Sequence, residues 1–465
     1  MVLISRKTEK RTFTAITSPQ PVASEYLPPV CVLLPICNEC TVIESLLGAV
    51  CAMRYPEQKL EIFVLDDSTD ATSEQLKSLV ADFAAKGVPM RYLRRTSREG
   101  AKAGNLRFGI DHSNAEFFAV FDADFLPPED FLLKTMPHFL RKRLGYLQTG
   151  IEHVNRDASF ITKYQAIMRR HQQYVTVELK SEGAMASLSG SSCVWRRACL
   201  ESIGGWSAST ATEDVDAGYS AQFGNWDYAY LQDVVSLSLL PETISAFRVQ
   251  RERWGRGLVH NAIKHGRQVL VSRMSFFGHI YSISMMFSSL LLVAVYCVFL
   301  LSLPLTALGG FKGGTSIVIP LFFFAFATIW GVGNLVNSRM WNELANGGGA
   351  FRRLLALYAY ISMILPMSFY YFVGAIRCFS EQREEFVITP KGTEELLRAK
   401  PRIDAILLAG EIFSFVYSLA TIAIAIHAKN YTFLPLNITA CTGFGMVLFW
   451  GMKDNCIIRR GKRHG

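Results

Sequence analysis

Residues 121–125 read Phe-Asp-Ala-Asp-Phe, two carboxylates two positions apart at the end of an apolar run. On an extended strand, positions i and i+2 face the same side. So placed, Asp122 and Asp124 can hold a hard divalent cation together with water and diphosphate oxygens. The bland alternative is a solvated turn. Asp66-Asp67 closes an earlier apolar run and brings further carboxylates to the same chemistry. Lys102, in Lys-Ala-Gly-Asn-Leu at 102–106, is either a phosphate-facing cation or an exposed lysine at a helix start. Thr212-Glu213-Asp214 precedes a helical pattern. A carboxylate there can take a proton from an attacking hydroxyl; the same text also suits an N-cap threonine with an acidic first turn. Gln250, Arg253 and Trp254, within Gln-Arg-Glu-Arg-Trp, share one helical face. Arginine there can neutralise a leaving diphosphate while tryptophan stacks on a ring. An amphipathic helix lying on a membrane has the same composition.

The elements that must carry these residues follow from periodicity. Val30–Pro35, Glu61–Asp66, Met90–Leu93 and Phe117–Asp122 read as strands; Cys40–Met53, Ala71–Ala85 and Ala101–His112 read as helices. Such alternation predicts a parallel sheet with helices on both faces. Ligands then bind beyond the carboxyl ends of the strands. The loops there hold Asn38-Glu39, Asp66-Asp67-Ser68 and Asp122-Ala123-Asp124 but no GxGxxG, which argues against a dinucleotide. The 465-residue chain is 50% hydrophobic and 19% charged, which excludes a disordered chain. After Arg273 come five uncharged stretches: Ser275–Phe311, Gly313–Asn337, Leu354–Ile376, Ile412–Ala428 and Asn430–Met452. All are long enough to span a bilayer, Ile412–Ala428 only just. Residues 276–465 hold 16 Lys+Arg against 9 Asp+Glu, mostly between the apolar stretches. That is a membrane-topology pattern, not the basic folded domain of a nucleic-acid binder. Of ten cysteines, Cys37 and Cys40 make one CxxC pair with no partner pair for zinc, so reduced thiols are expected. Residues 1–28 are polar, and neither a signal peptide nor an N-terminal span is expected.

In this order and spacing the motifs resemble the membrane-integrated, inverting family 2 glycosyltransferases. Those include cellulose, chitin and hyaluronan synthases and the plant mannan and xyloglucan-backbone synthases. The flanking text strengthens the likeness: residues 98–106, Phe121–Leu132, and Gln148 after the next strand. Residues 193–206 and 240–254 look most like the mannan and xyloglucan-backbone branch, and Phe386–Lys391 (FVITPK) is similar to the cellulose synthase gating loop. The resemblance implies an α/β, GT-A-type (Rossmann-like) catalytic domain followed by a transmembrane region with interfacial helices. It implies that Asp67 contacts the donor nucleotide and Lys102 its phosphates. Asp122 and Asp124 bind the donor diphosphate through Mg²⁺ or Mn²⁺. Asp214 is the catalytic base. Gln250, Arg253 and Trp254, with Glu213, hold the acceptor end, Arg253 also the diphosphate. Phe386, Thr389 and Lys391 close over the donor. Thr149-Gly150-Ile151 stands where the plant relatives have Arg-Trp, and Leu188-Ser189-Gly190-Ser191 replaces their FNGT-like segment.

The expected organisation is a lead (1–28), a cytosolic glycosyltransferase domain (29–255) and an amphipathic interfacial helix (256–275). Two spans (276–337), an interfacial or re-entrant helix (351–378) and a gating loop (379–402) follow. Two more spans (403–452) and a basic tail (453–465) complete the chain. The expected protein is a multi-pass membrane enzyme with a cytoplasmic catalytic domain. It moves a hexose from UDP-glucose or GDP-mannose to a growing β-linked polysaccharide. Expected partners are the nucleotide sugar, a glycan or lipid acceptor and the bilayer, with no nucleic acid. A homo-oligomer or an extra membrane subunit is compatible with the reading. A non-processive enzyme making a glycolipid is the alternative. A nucleotide-regulated transporter is remote, because few charges lie inside the spans: Glu411, near the start of the fourth stretch, is the only one.

Overall fold

The computed structural model describes residues 27–181, 183–186, 189–309, 349–379 and 404–464. Phe386, Thr389, Lys391 and the Gly313–Asn337 stretch lie outside the described residues, as does most of the lead.

Seven strands form one sheet: β1 (Val30–Ile36), β2 (Leu60–Asp66), β3 (Met90–Arg94), β4 (Phe117–Val120), β5 (Leu144–His153), β6 (Cys193–Arg196) and β7 (Asp227–Ser238). Their order is β3-β2-β1-β4-β6-β5-β7. β1 is buried along its whole length, as a strand covered on both faces must be. Its alternate residues divide between two cores. Val30, Val32, Leu34 and Ile36 meet α1 (Ile43–Cys51), α2 (Thr72–Ala85) and α4 (Phe131–Thr135). Cys31 and Leu33 meet α3 (Ala101–Asp111), then α6 (Arg197–Ser202) and α7 (Glu213–Phe223) on the opposite face; α5 (Phe160–Ser181) packs instead, through Ile161, Tyr164 and Ile167, in a separate core with the helices that follow the sheet.

The sheet is mixed, which corrects the all-parallel expectation. β6 runs antiparallel to β4 and β5, while the other pairings are parallel. The reversal has a local cause. The chain enters β6 at the carboxyl end of β4, where Ser192 N–H donates to Val120 O (2.8 Å). This lays Ser189–Ser192 beside the Phe-Asp-Ala-Asp-Phe turn. Gln148, expected after a strand, lies within β5 and braces that segment by donating to Ser191 O and Ser192 O (both 3.0 Å).

α8 runs unbroken from Ile244 to Val271. Thr243 caps it by accepting from Ala246 N–H (3.3 Å). The boundary drawn at 255/256 therefore falls inside one helix. Beyond it come α9 (Phe276–Met286), α10 (Ser288–Ala307), α11 (Ala350–Ser362), α12 (Ile364–Cys378), α13 (Ala405–His427) and α14 (Leu434–His464). Among the described residues four segments are long and apolar enough to cross a membrane: Ser288–Ala307, Ala350–Cys378, Ala405–His427 and Leu434–Asp454. The second breaks at Met363 into α11 and α12. Pro366 has no N–H for the carbonyl of Ser362, which explains the break. That segment is 72% buried against 28–33% for the other three. α12 lies directly on α8: a Cβ at Gly374 would sit 2.6 Å from Glu252 O, and one at Gly255 would sit 2.8 Å from Tyr371 Cα. A second tie is Glu411 of α13, which takes a two-pronged contact from Arg248 of α8 (2.5 Å each) and a hydroxyl from Tyr370 (2.7 Å).

Candidate active site

The carboxyl ends of β1, β2 and β4 converge on one mouth. Asp66 is wholly buried there and its oxygens are engaged by Ser73 Oγ (2.6 Å), Tyr92 Oη (2.6 Å) and Ser68 N–H (2.7 Å). Those hydrogen bonds hold its pKa below the ordinary aspartate range against the opposing effect of burial, which is the largest single influence. Asp66 thus anchors the loop. Asp67 is held two-pronged by Arg95 (2.8 and 2.6 Å), which also donates to Glu99 O and Ala101 O. A Cβ at Gly104 would lie 2.5 Å from Arg95 Nη1 and 2.1 Å from Glu99 O, so the glycine of Lys-Ala-Gly-Asn-Leu makes room for this arginine.

Phe121–Phe125 is a turn, not strand: β4 ends at Val120 and Phe125 N–H donates to Asp122 O (3.0 Å). The i, i+2 strand argument is corrected accordingly; tethers, not pleat, set the two carboxylates. Asp122 N–H donates to Ser191 Oγ (2.8 Å) and its Oδ1 meets Lys102 Nζ at 2.5 Å. Asp124 is buried and accepts from Ser238 Oγ (2.8 Å) at the end of β7.

Lys102 projects from the first turn of α3 into the site and also donates to Gly190 O (3.0 Å), with Glu213 Oε1 at 3.7 Å. Burial works to lower its pKa, but Asp122 and Glu213 outweigh burial and hold the ammonium above the usual lysine range. An exposed helix-start lysine is excluded. Thr212 does not cap α7 with its side chain; its Oγ1 accepts from Asn261 Nδ2 of α8 (2.9 Å). A Cβ at Gly257 would come within 2.6 Å of Thr212, so α8 presses directly on the Thr-Glu-Asp turn. Asp214 beside it is pushed up to about 6, first by burial and then by the charge of Glu213, with Lys102 pulling the other way. Gly190 faces both groups: a Cβ there would lie 3.2 Å from Asp214 Oδ2 and from Lys102 Nζ.

α8 delivers the rest. Burial lowers the pKa of Arg253, while Glu213, Asp214 and Asp122 support its charge. Gln250 Oε1 is buried and unpaired. Trp254 is covered by guanidinium carbons of Arg169 and Arg251, 4.3 and 4.4 Å from its ring centroid. Asp122, Lys102, Glu213, Asp214 and Arg253 thus share one site; Asp67 stands at its rim on Arg95. Sequence reasoning noted Gly190 and Ser191 without giving them a role, and missed Asn261, Arg169 and His153. Both His153 ring nitrogens are buried and unpaired, and burial, aided by Arg169, pushes its pKa down to about 3. Only the Gly-Ser text near 190 gave any signal.

Among the described residues no group of three His, Cys, Asp or Glu could enclose a metal alone. Two carboxylates at a mouth lined by cations fit Mg²⁺ or Mn²⁺ whose remaining ligands are phosphate oxygens and water.

Residues 28–257 match the model of a "Glycosyltransferase like family 2". Those residues are a family 2 glycosyltransferase domain. The chain is 35% identical over 264 residues to a probable glucomannan 4-beta-mannosyltransferase 2 of Oryza sativa subsp. japonica, covering 56% of this chain and 45% of that one. It is 32% identical over 317 residues to glucomannan 4-beta-mannosyltransferase 2 of Arabidopsis thaliana, covering 66% and 59%. The chain spans about half the length of the curated relatives it matches. A solved mannosyltransferase, PcManGT from Pyrobaculum calidifontis in complex with GDP-Man and Mn2+, overlays with TM-score 0.51 at 19% identity, covering 79% of this chain and 92% of that one. The overlay establishes a shared fold: a GT-A-like mixed sheet with flanking helices, as the sequence resemblance implied.

Proposed function

We propose that this glycosyltransferase moves mannose from GDP-mannose, with inversion, to a β-linked acceptor at a membrane. The observation that carries the reading is Asp214, half-buried, raised to about 6 and within the field of Lys102 and Arg253. Asp214 takes the proton of the acceptor hydroxyl. That oxygen attacks the anomeric carbon from the face opposite the diphosphate. The anomeric C–O bond breaks and the nucleoside diphosphate leaves with the electron pair. Lys102 and Arg253 stabilise its charge. A divalent ion held by Asp122 and Asp124 supplies further charge neutralisation at the diphosphate when bound. The choice of mannose over glucose rests on the relatives' names. The test is the full chain in lipid nanodiscs with GDP-mannose and UDP-glucose. Release of GDP with a β-mannosidase-sensitive product supports the reading; release of UDP alone reassigns the donor, and no release from either refutes it.

For the membrane region the proposal is four crossings, with Ala350–Cys378 lying along the interface or re-entering. The segment's high burial, its break at Met363 and its seat on α8 support this. With that segment not crossing, only Lys312 and Lys429 of the 16 basic residues after residue 275 fall outside, in accord with the positive-inside rule. The catalytic domain is then cytoplasmic, where nucleotide sugars are supplied.

A further inference from the structure

Thr212 stands at the N-cap of α7, whose first turn carries Glu213 and Asp214, yet its side chain makes no cap hydrogen bond. A threonine hydroxyl at that place ordinarily accepts from N–H groups of the first turn and stabilises the helix. Here it is turned instead to α8, where Asn261 Nδ2 donates to it at 2.9 Å. Asn261 is buried, and the same nitrogen donates to Gly257 O at 3.0 Å. Its Oδ1 is buried with no hydrogen-bond partner among the described residues. An unpaired buried oxygen bears its full desolvation cost, and asparagine is a poor residue for a helix interior. The local sequence thus gives up a cap on one helix and a satisfied amide on another for this one tie. Departures of this kind from local stability concentrate where function fixes the geometry.

The tie belongs to a row. Gly257, Asn261 and His265 recur every four residues along one face of α8, and Thr212 and Asp216 stand four apart opposite them. A Cβ at Gly257 would lie 2.6 Å from Thr212 Oγ1. His265 Nε2 and Asp216 Oδ1 are 2.6 Å apart, and both residues are buried. Lys264 donates to the other oxygen of Asp216 at 2.7 Å, and the rings of Tyr219 and Phe223 lie against His265 with centroids 6.1 and 5.6 Å away. The body of α7 is therefore seated by these contacts without help from Asn261. Its first turn depends on Asn261 and on the close approach at Gly257. That turn sets Asp214 against the opposite wall. A Cβ on Gly190 would lie 3.0 Å from Asp214 Cβ and 3.2 Å from both Asp214 Oδ2 and Lys102 Nζ. With so little clearance, a shift of the turn is passed straight to the carboxylate.

We propose that Asn261 is a positioning residue for the transfer reaction: through the Thr212 hydroxyl it holds the first turn of α7 at the depth that aims the Asp214 carboxylate at the acceptor hydroxyl. This rests on the reading of Asp214 as the base. Asn261 acts through Thr212 and not on substrate, so its effect falls on turnover and not on donor binding.

The test is a double-mutant cycle on the full chain in lipid nanodiscs. A β-manno-oligosaccharide serves as acceptor, with whichever of GDP-mannose and UDP-glucose wild type turns over; kcat, donor Kd and Tm are read. Thr212→Val and Asn261→Leu remove the two ends of the tie with little change of volume. Each should lower kcat roughly tenfold to a hundredfold, as a displacement of up to about 1 Å at a reacting group does. Donor Kd should hold. The double variant should be no slower than the slower single one, because the same interaction is lost only once. Thr212→Ser keeps the hydroxyl and should recover the turnover lost in Thr212→Val. Should Asn261→Leu fail to fold, the comparison of Thr212→Val with Thr212→Ser carries the test. Losses that multiply in the double variant would overturn the proposal, as would a donor Kd that weakens in step with kcat. A lower Tm with kcat unchanged per folded molecule would leave Asn261 a structural role alone and overturn it too. Each of these outcomes leaves Asp214 as the base, whereas an Asp214→Asn variant as fast as wild type removes that underlying reading instead.

Discussion

Replacing Asp214 with asparagine should make the protein slower and more stable at once. Its carboxyl is raised from an ordinary 3.8 to about 6. One pKa unit corresponds to about 1.4 kcal/mol, so holding the ionised form costs the fold up to about 3 kcal/mol, a figure already net of the favourable pull of Lys102. The sign follows from proton counting. Between the two values the folded chain binds the proton that the unfolded chain has released, so stability falls as pH rises through this window. Above about 6 the full penalty is present; below 3.8 it is gone. The substituted amide is neutral at every pH. Thermal unfolding in nanodiscs should therefore show Asp214→Asn with a higher Tm than wild type at neutral pH, and the two converging in acid. Turnover should fall roughly 10²–10⁴-fold, with donor Kd nearly unchanged. In wild type, kcat/KM should lose its acid limb near pH 6, and Glu213→Gln should move that limb downward, since a like charge is removed. A variant less stable than wild type at neutral pH, or an acid limb near the ordinary aspartate value, would refute the argument.

Further expectations are direct. Asp122→Ala with Asp124→Ala should abolish transfer and divalent-ion dependence together; substantial activity of the double variant in chelator would remove the metal role. Gly374→Ala should cost about 1–3 kcal/mol of stability by overpacking, read as a lower Tm, because its Cβ would enter the α8 backbone at Glu252 O; an unchanged Tm with unchanged transfer would show that α12 has room to withdraw. Cysteine placed at Thr393 in an otherwise cysteine-free protein should resist an impermeant reagent in intact cells, while one at Asn430 should react; labelling at Thr393 sinks the four-crossing proposal.

Strands β1 to β4 were legible because buried parallel strands write themselves as continuous apolar runs, as Val30–Ile36 does. Asp122, Lys102 and Asp214 were legible because each sits in a short motif at an element's end. The direction of β6 was not: four residues carry no record of polarity, and only the hydrogen bond from Ser192 to Val120 reveals it. α8 was divided at 255/256 because its composition turns basic there, although the backbone runs on through Gly255 and Gly257. Both glycines are needed for contact with α12 and the Thr-Glu-Asp turn, so residues that look like a break are the closest packing points. Asp67 reads as a free ligand in sequence, yet its oxygens are taken by Arg95, 28 residues away. Arg169 and Arg251 meet only because α5 lies on α8, a proximity that no local pattern encodes.

The contact between Arg248 and Glu411 bears on how this protein can be handled. The stretch recognisable as a glycosyltransferase ends at residue 257, mid-way along α8. Cutting there would strip the helix of Glu411 and of Asp454, whose carboxylate accepts from Ile244 N–H at the start of α8 (2.7 Å). Arg248, only 5% exposed, would lose its counter-ion, and breaking such a buried pair typically costs about 3–5 kcal/mol. Gly255 and the face around it would open to water at the same stroke. The catalytic part is thus not an autonomous folding unit, and a soluble fragment made for crystallisation or screening would present its Gln-Arg-Glu-Arg-Trp helix in a frayed state.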